Sequence, residues 1–187
     1  MKTIKCVVVG DEASQKTSVL DIYTNQSQGS NTYDDFEKKT NVDGNEISLH
    51  LFDSLDQADY KKYSDVDVFV LCFSLVTPQS FQSIEKTYAP AVKEANPNAH
   101  IILVGTNIDE RNDFSKHADE YKSKGMEPSL QSAGEELKEK IGAVDYIECS
   151  IEKKINIDRI FDQAVRAVTG TKPPSQEMHD KKDCLIC

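Results

Sequence analysis

Gly10, Lys16 and Thr17 are the residues whose types and spacing first suggest chemistry. They lie where the β-branched run Ile4-Lys5-Cys6-Val7-Val8-Val9 gives way to Gly10-Asp11-Glu12-Ala13-Ser14-Gln15-Lys16-Thr17-Ser18. A strand, a glycine and a Lys-Thr pair six residues on build a phosphate cradle, because backbone N–H groups and a helix N-terminus then aim at one anion. The motif wants a second glycine before the lysine, and Gln15 stands there instead. On its own the stretch fits two readings: a phosphate cradle, or an ordinary strand-to-helix turn capped by Ser14.

The elements that must position this loop follow from periodicity. Thr17 to Tyr23 reads as a short helix with Val19, Leu20 and Tyr23 on its apolar side. Thr40 to Val42 and Ile47 to Phe52 flank Asp43-Gly44, a pair that accepts positive φ twice and so marks a hairpin. Val66 to Ser74, Ile101 to Gly105 and Tyr146 to Cys149 are apolar without alternation, as strands buried on both faces of a parallel sheet are. Between them Phe81, Ile84, Tyr88, Val92 and Ala95 recur at helical spacing, with Pro90 bound to kink or restart that helix. Ile157, Ile160, Phe161, Ala164, Val165 and Val168 repeat the pattern. Strands alternating with helices predict a doubly wound, mostly parallel α/β sheet of six strands with helices on both faces, whose ligand lies beyond the strands' carboxyl ends. The loops after Val9, Phe52, Val104 and Cys149 then share one site. The charged stretch from Glu110 to Pro128 is long for a strand-to-helix connection and is either a functional insertion or a solvated helical excursion.

Composition sets outer bounds. The 187 residues suffice for one domain with a full core, expected over residues 1–170, and 38% hydrophobic with 29% charged residues suits a soluble globular protein. A formal net charge of −10 argues against a broad nucleic-acid surface, which rests on Lys and Arg neutralising phosphates. No signal peptide or membrane-length apolar run is apparent, so a cytosolic chain is expected. Cys6, Cys72 and Cys149 lie in apolar runs without metal-ligand spacing and read as reduced core residues.

Four stretches together resemble the Rho family of small GTPases, most closely its Rac branch. They are Ile4 to Asp11, Asp67-Val68-Phe69-Val70-Leu71-Cys72-Phe73-Ser74-Leu75-Val76, Ile101 to Thr106, and Ile141-Gly142-Ala143-Val144-Asp145-Tyr146-Ile147-Glu148-Cys149-Ser150. The resemblance runs from Ile4 to Val168 and implies the P-loop small GTPase fold, with the stretch after Asp109 as the family's insert helix. It implies a switch in which GTP and Mg²⁺ hold two loops in one conformation and hydrolysis to GDP releases them. Under it, the nucleotide-binding loop is Gly10 to Ser18, with Lys16 on the β and γ phosphates, Thr17 on Mg²⁺ and Ser18 near the α-phosphate. Asp53 holds the metal through water, with Ser54, Leu55 and Asp56 following it. Gln57 matches the water-positioning glutamine, so Gln57 and Lys16 are the catalytic candidates. Thr106, Asn107, Ile108 and Asp109 form the base-reading loop, the carboxylate meeting the guanine edge, and Ser150 with the backbone of Ile151 closes the pocket. Thr32 is the candidate metal-sensing threonine of the first switch, and Tyr33, Asp34, Asp35 and Phe36 are the candidate effector contacts. Effectors, an exchange factor and a GTPase-activating protein are the implied partners, and actin regulation the implied pathway.

The departures from that family concentrate on the nucleotide. Glu12 stands for the glycine beside the γ-phosphate, Gln15 for the glycine before the lysine, Asp56 for the glycine of the second switch, and Asn107 for a bracing lysine. No aromatic in Gln26-Ser27-Gln28-Gly29 replaces the one that stacks on guanine. A carboxylate about 5 Å from the γ-phosphate costs on the order of 3 kcal/mol at an effective dielectric of 20, and less when it swings into water. Triphosphate binding is expected to suffer more than GDP binding, and hydrolysis to be slow or absent. The alternatives are a pseudo-GTPase kept as a binding surface, or a working hydrolase whose Glu12, Gln15 and Asp56 point to solvent.

Residues 171–187 lack periodicity and are expected to be a disordered tail. Cys184-Leu185-Ile186-Cys187 fits the Cys-aliphatic-aliphatic-X prenylation signal, making Cys184 the lipidation candidate. Lys181 and Lys182 are offset by Asp180 and Asp183, so a single reversible anchor is expected, with the protein divided between cytosol and the cytoplasmic face of the plasma membrane.

Overall fold

The computed structural model describes residues 1–25, 36–54 and 60–171. Its sheet is built from β1 (Lys2–Val9), β2 (Phe36–Val42), β3 (Asn45–Asp53), β4 (Val68–Ser74), β5 (His100–Thr106) and β6 (Asp145–Glu148), in the order β2-β3-β1-β4-β5-β6. Only the β2–β3 pair is antiparallel; every other pairing is parallel. From β1 the chain builds outward on one side through β3 and β2 and then on the other through β4, β5 and β6. That reversal opens a crevice at the carboxyl ends beside β1.

The helices are α1 (Lys16–Thr24), α2 (Pro78–Ser83), α3 (Ala89–Ala95), α4 (Ile108–Asp113), α5 (Ala118–Ser123), α6 (Gln131–Ile141) and α7 (Ile157–Thr169). Strand alternation sorts them into two layers, since successive side chains point to opposite faces. Ile4, Cys6 and Val8 of β1, with Val70 and Cys72 of β4, meet α1 and α7 through Val19, Leu20, Ile160, Phe161 and Ala164. Val7 and Val9, with Phe69, Leu71 and Phe73, meet Ile84, Ala89 and Val92 and, from α6, Leu137 and Ile141. Every residue of β4 is buried, which is why its sequence shows no alternation. Tyr23 of α1 stacks on Phe161 of α7 with centroids 3.9 Å apart, locking the first of these layers.

The hairpin turn adopts positive φ at both Asp43 (53°) and Gly44 (83°), the geometry of a two-residue loop whose twist matches its strands. Strand β2 begins at Phe36, four residues before the expected Thr40, because antiparallel pairing with β3 extends to Phe36 opposite Leu51. Pro90 is absorbed by a π-turn over Ile84–Tyr88, where Ala89 donates its N–H to the Ile84 carbonyl, one residue wider than an α-helical bond. The helix then restarts as α3. The charged stretch after β5 forms α4, a 3₁₀ turn over Phe114–Lys116, and α5. Neither α4 nor α5 holds a fully buried residue, although Ile108 of α4 packs on the second core layer and Arg111 is largely covered. The stretch returns to the body where Glu127 and Ser129 donate their N–H groups to Val76 and Leu75 at 2.9 and 2.7 Å. Among the described residues no helix is long and apolar enough to cross a membrane.

Candidate functional site at the carboxyl edge

The loop after β1 turns because Gly10 has no side chain. A Cβ there would lie 2.4 Å from the Cys72 carbonyl oxygen and 2.6 Å from the Ser14 hydroxyl. Glu12–Ser14 form a 3₁₀ turn whose N–H groups are partly spent inside the loop: Ser14 donates to Asp11 and Gln15 to the Glu12 carbonyl at 3.1 Å. Asp11 is in turn fixed by the Ser80 hydroxyl at 2.8 Å. Gln15 takes left-handed backbone angles (φ 52°, ψ 33°), where the motif's glycine would be at ease and a side chain carries a strain of about 1–2 kcal/mol.

Ser14 does not cap α1. Its hydroxyl donates to the Asp11 carbonyl, while the N-cap of α1 is Gln15, whose side chain makes no capping bond. Since Val19 donates the first intrahelical bond, to Gln15, the N–H groups of the first turn have no acceptor within the helix and lie at the positive end of its dipole. Ser14 is therefore not the cap of α1, whose N-terminus has no side-chain capping bond. Glu12 and Gln15 are both exposed.

Asp53 closes this end of the site from the last position of β3, level with Val8 of β1. Its carboxylate accepts the Thr17 hydroxyl at 2.5 Å and lies 3.2 Å from the Lys16 ammonium. Lys16 and Asp53 side chains are only 10% and 7% exposed, and the Asp53 charge is met by the ammonium and by the Thr17 hydroxyl. Asp53 Oδ1 has no hydrogen bond among the described residues even though the ammonium is near. One hydroxyl and one carboxylate are hard oxygen donors suited to Mg²⁺, which keeps its other positions for water and phosphate. Among the described residues no three His, Cys, Asp or Glu gather to hold a metal by themselves. The residues thus fit a metal shared with a phosphate ligand and do not fit a protein-only cage.

Two strands further along the same edge, the second half of the site is built on β5 and β6. Thr106 is fully buried and its hydroxyl donates to the Phe73 carbonyl at 3.1 Å, so this member of the base-reading set ties β5 to β4. Asn107 is left-handed (φ 64°) and stands at the N-cap position of α4 without a side-chain capping bond; its amide donates to Glu110 while its own oxygen is buried without a partner among the described residues. Ile108 donates its N–H to the Cys149 carbonyl at 3.3 Å, which brings the two loops together. Asp109 then accepts the Ser150 hydroxyl in a short hydrogen bond and pairs with Lys153 at 2.8 Å. Burial works against the Asp109 charge, but the Lys153 ammonium and the Ser150 hydroxyl outweigh it and hold the carboxyl below its ordinary range. Ile151 is half-buried beside them and packs on the α1–α7 core.

The buried cysteines take no part. All three are free; burial first, then nearby carboxylates, push the Cys6 and Cys149 thiols up to about 12, and burial also raises Cys72 well above its ordinary range.

Of the expected site, Gly10 to Ser18, Asp53, Ser54, Thr106 to Asp109, Ser150 and Ile151 gather at the carboxyl edge in these two groups. Ser54 is anchored by its N–H to the Val8 carbonyl at 3.0 Å. Thr32, Tyr33, Asp34, Asp35, Leu55, Asp56, Gln57 and Cys184 lie outside the described residues. Phe36, expected to meet an effector, is half-buried at the start of β2 and packs against the α1–α7 core. Two residues escaped the sequence reading. Ser80, which fixes Asp11, carries no motif. Lys153 was visible only as one charge in Ile151-Glu152-Lys153-Lys154.

A family model described as the Ras family matches residues 5–170, which takes in β1 through α7 and both halves of the edge site. The chain therefore belongs to the Ras family of small GTP-binding proteins.

Proposed function

We propose that this chain is a Rho- or Rac-like guanine-nucleotide switch in which the phosphate end is retained and hydrolysis is impaired. The observation that carries this reading is the convergence of the open α1 N-terminus, Lys16, Thr17 and Asp53 at one end of the carboxyl edge, with Asp109 and Ser150 at the other. Such an edge takes a ligand with phosphates at one end and hydrogen-bond donors at the other. Lys16 and the first N–H groups of α1 hold the phosphates, and Asp109 accepts the N–H donors of the guanine edge. Mg²⁺, when bound beside Thr17 and Asp53, shields the phosphate charge.

Impaired turnover rests on the loop. Gln15 donates its N–H to the Glu12 carbonyl, which withdraws one donor from a phosphate, and Glu12 adds a carboxylate to the same turn. Its exposure lets water screen that charge, so binding weakens without being abolished. Gln57 remains the water-positioning candidate and Lys16 the charge that meets the transferring phosphoryl group. The first switch, Tyr33 to Phe36, supplies effector contacts, exchange and activating factors act on the cycle, and a lipid on Cys184 brings the protein to the membrane where actin-directed signalling takes place.

One observation favours a second reading, the pseudo-GTPase. Lys16 is paired with Asp53 and Asp109 with Lys153, so charges that would handle nucleotide already have internal partners. Denaturing the purified protein and chromatographing the released material decides between them. Released GDP, with single-turnover hydrolysis of added GTP no faster in wild type than in Gln57→Leu, supports the impaired switch. An empty protein whose melting temperature ignores GTP and GDP overturns it in favour of the binding module, and rapid Gln57-dependent turnover overturns the impairment.

A further inference from the structure

The Asp109 carboxylate is committed before any base arrives. Its two oxygens are divided: Oδ2 takes the Ser150 hydroxyl, and Oδ1 takes the Lys153 ammonium at 2.8 Å. The partners differ sharply in exposure, the Asp109 side chain being 14% and that of Lys153 61% exposed. A largely covered anion is thus held by a cation on a flexible stem that water can receive.

The loop carrying Lys153 is fixed by its backbone. Ser150 and Ile155 exchange N–H to carbonyl bonds at 3.1 and 3.0 Å, closing the segment between them into a tight arch. Lys154 and Asn156 take positive φ of 54° and 63° to complete it, and the Asn156 amide holds the Glu148 carbonyl at 2.8 Å. Within the arch the Lys153 N–H donates to the Ser150 hydroxyl oxygen at 2.8 Å, leaving that hydroxyl's hydrogen for Asp109. Lys153 therefore approaches Asp109 from a fixed backbone position while also orienting Ser150.

We propose that Lys153 is a built-in competitor for the carboxylate that reads the base: it closes on Asp109 in the nucleotide-free protein, and a guanine must displace it to bind. This inference rests on the guanine-nucleotide reading above. A guanine edge sets two N–H donors against the two Asp109 oxygens, so an ammonium seated on Oδ1 contests that oxygen's charge and the space through which the base approaches. The displaced ammonium has somewhere to go, because Asp113 and Glu152 lie within its electrostatic reach. Lys153 thereby lowers guanine affinity at the base end, independently of what Glu12 does at the phosphate end.

The sign of the effect separates this role from general attraction. Removing a lysine near an anionic ligand ordinarily weakens binding; removing this one strengthens it. The test is equilibrium titration of the full-length, nucleotide-stripped protein with GDP and, separately, GTP. Lys153→Ala and Lys153→Gln are expected to bind roughly two- to fivefold more tightly than wild type, the range of an ion pair with one exposed partner. The gain is equal for GDP and GTP, shrinks at high salt as the pair is screened, and disappears in Lys153→Arg. Without nucleotide, Lys153→Ala and Lys153→Gln melt slightly below wild type, because the apo protein loses the ion pair that a bound base would otherwise have to break. Equal or weaker binding by Lys153→Ala overturns the competitor while leaving the nucleotide reading intact. Absence of binding in wild type and every variant overturns both.

Discussion

At the scale of single residues, Gly134 is a case where the usual rule for helices reverses. It lies inside α6, where alanine would ordinarily stabilise by roughly 1 kcal/mol. A Cβ on Gly134, however, would sit 2.1 Å from Cζ of Tyr146. That ring cannot step aside: it stacks with Phe73 at 6.2 Å, and its hydroxyl donates to Glu148, which is forked by Arg111 at 2.5 Å. Gly134→Ala is therefore expected to destabilise the protein by about 1–3 kcal/mol, read as a lower urea midpoint at unchanged slope. A neutral or stabilising outcome would show that Tyr146 has room to move. Asp109, Gln15 and Lys153 make the same point within the site, since residue type alone did not tell which partner each would find.

Between elements, the hairpin is tied to α7 by a forked pair. Arg166 donates from Nε and a terminal nitrogen to the two Asp43 oxygens at 2.9 and 3.0 Å, joining positions 123 residues apart. The Arg166 hydrogen bonds hold the Asp43 carboxyl below its ordinary 3.8. A depressed folded-state pKa means that the pair stabilises above the unfolded value and loses its contribution as pH falls through the lower folded one. Asp43→Asn is thus expected to be less stable than wild type near neutrality and to lose less on acidification below 3.8, the two converging in strong acid. Urea midpoints measured across that window check it, and parallel curves for the two proteins would refute it. The π-turn before Pro90 is a second device at this scale, keeping Ile84 on one side and Ala89 and Val92 on the other within one buried face.

For the whole molecule, the sheet gathers loops from strands far apart in sequence at one edge and leaves the remaining faces to helices. The chain's formal net charge of −10 disfavours an anionic membrane surface, so the proposed membrane association rests on the lipid proposed for Cys184. Under the proposed reading, a single prenyl chain without a basic cluster would anchor the protein reversibly. Fractionated cells are expected to show the wild type in both membrane and soluble pools and Cys184→Ser in the soluble pool alone. An unchanged membrane pool in Cys184→Ser would place the anchor elsewhere.

The fold was legible because its signals are local. Unbroken apolar runs, an Asp-Gly pair and a clean helical repeat in α7 each state their geometry within a few residues, and together they set strand number, hairpin and layers. The retained Lys16-Thr17 pair likewise marked the strand-to-helix loop that lies at the carboxyl edge. Tertiary structure alone decided how that edge is wired: that Ser14 bends inward instead of capping α1, that Gln15 adopts a glycine's angles, that Lys16 rests on Asp53 and that Lys153 occupies Asp109. Each depends on where loops from separate strands arrive and how far a side chain reaches, and neither quantity is written in the neighbouring residues.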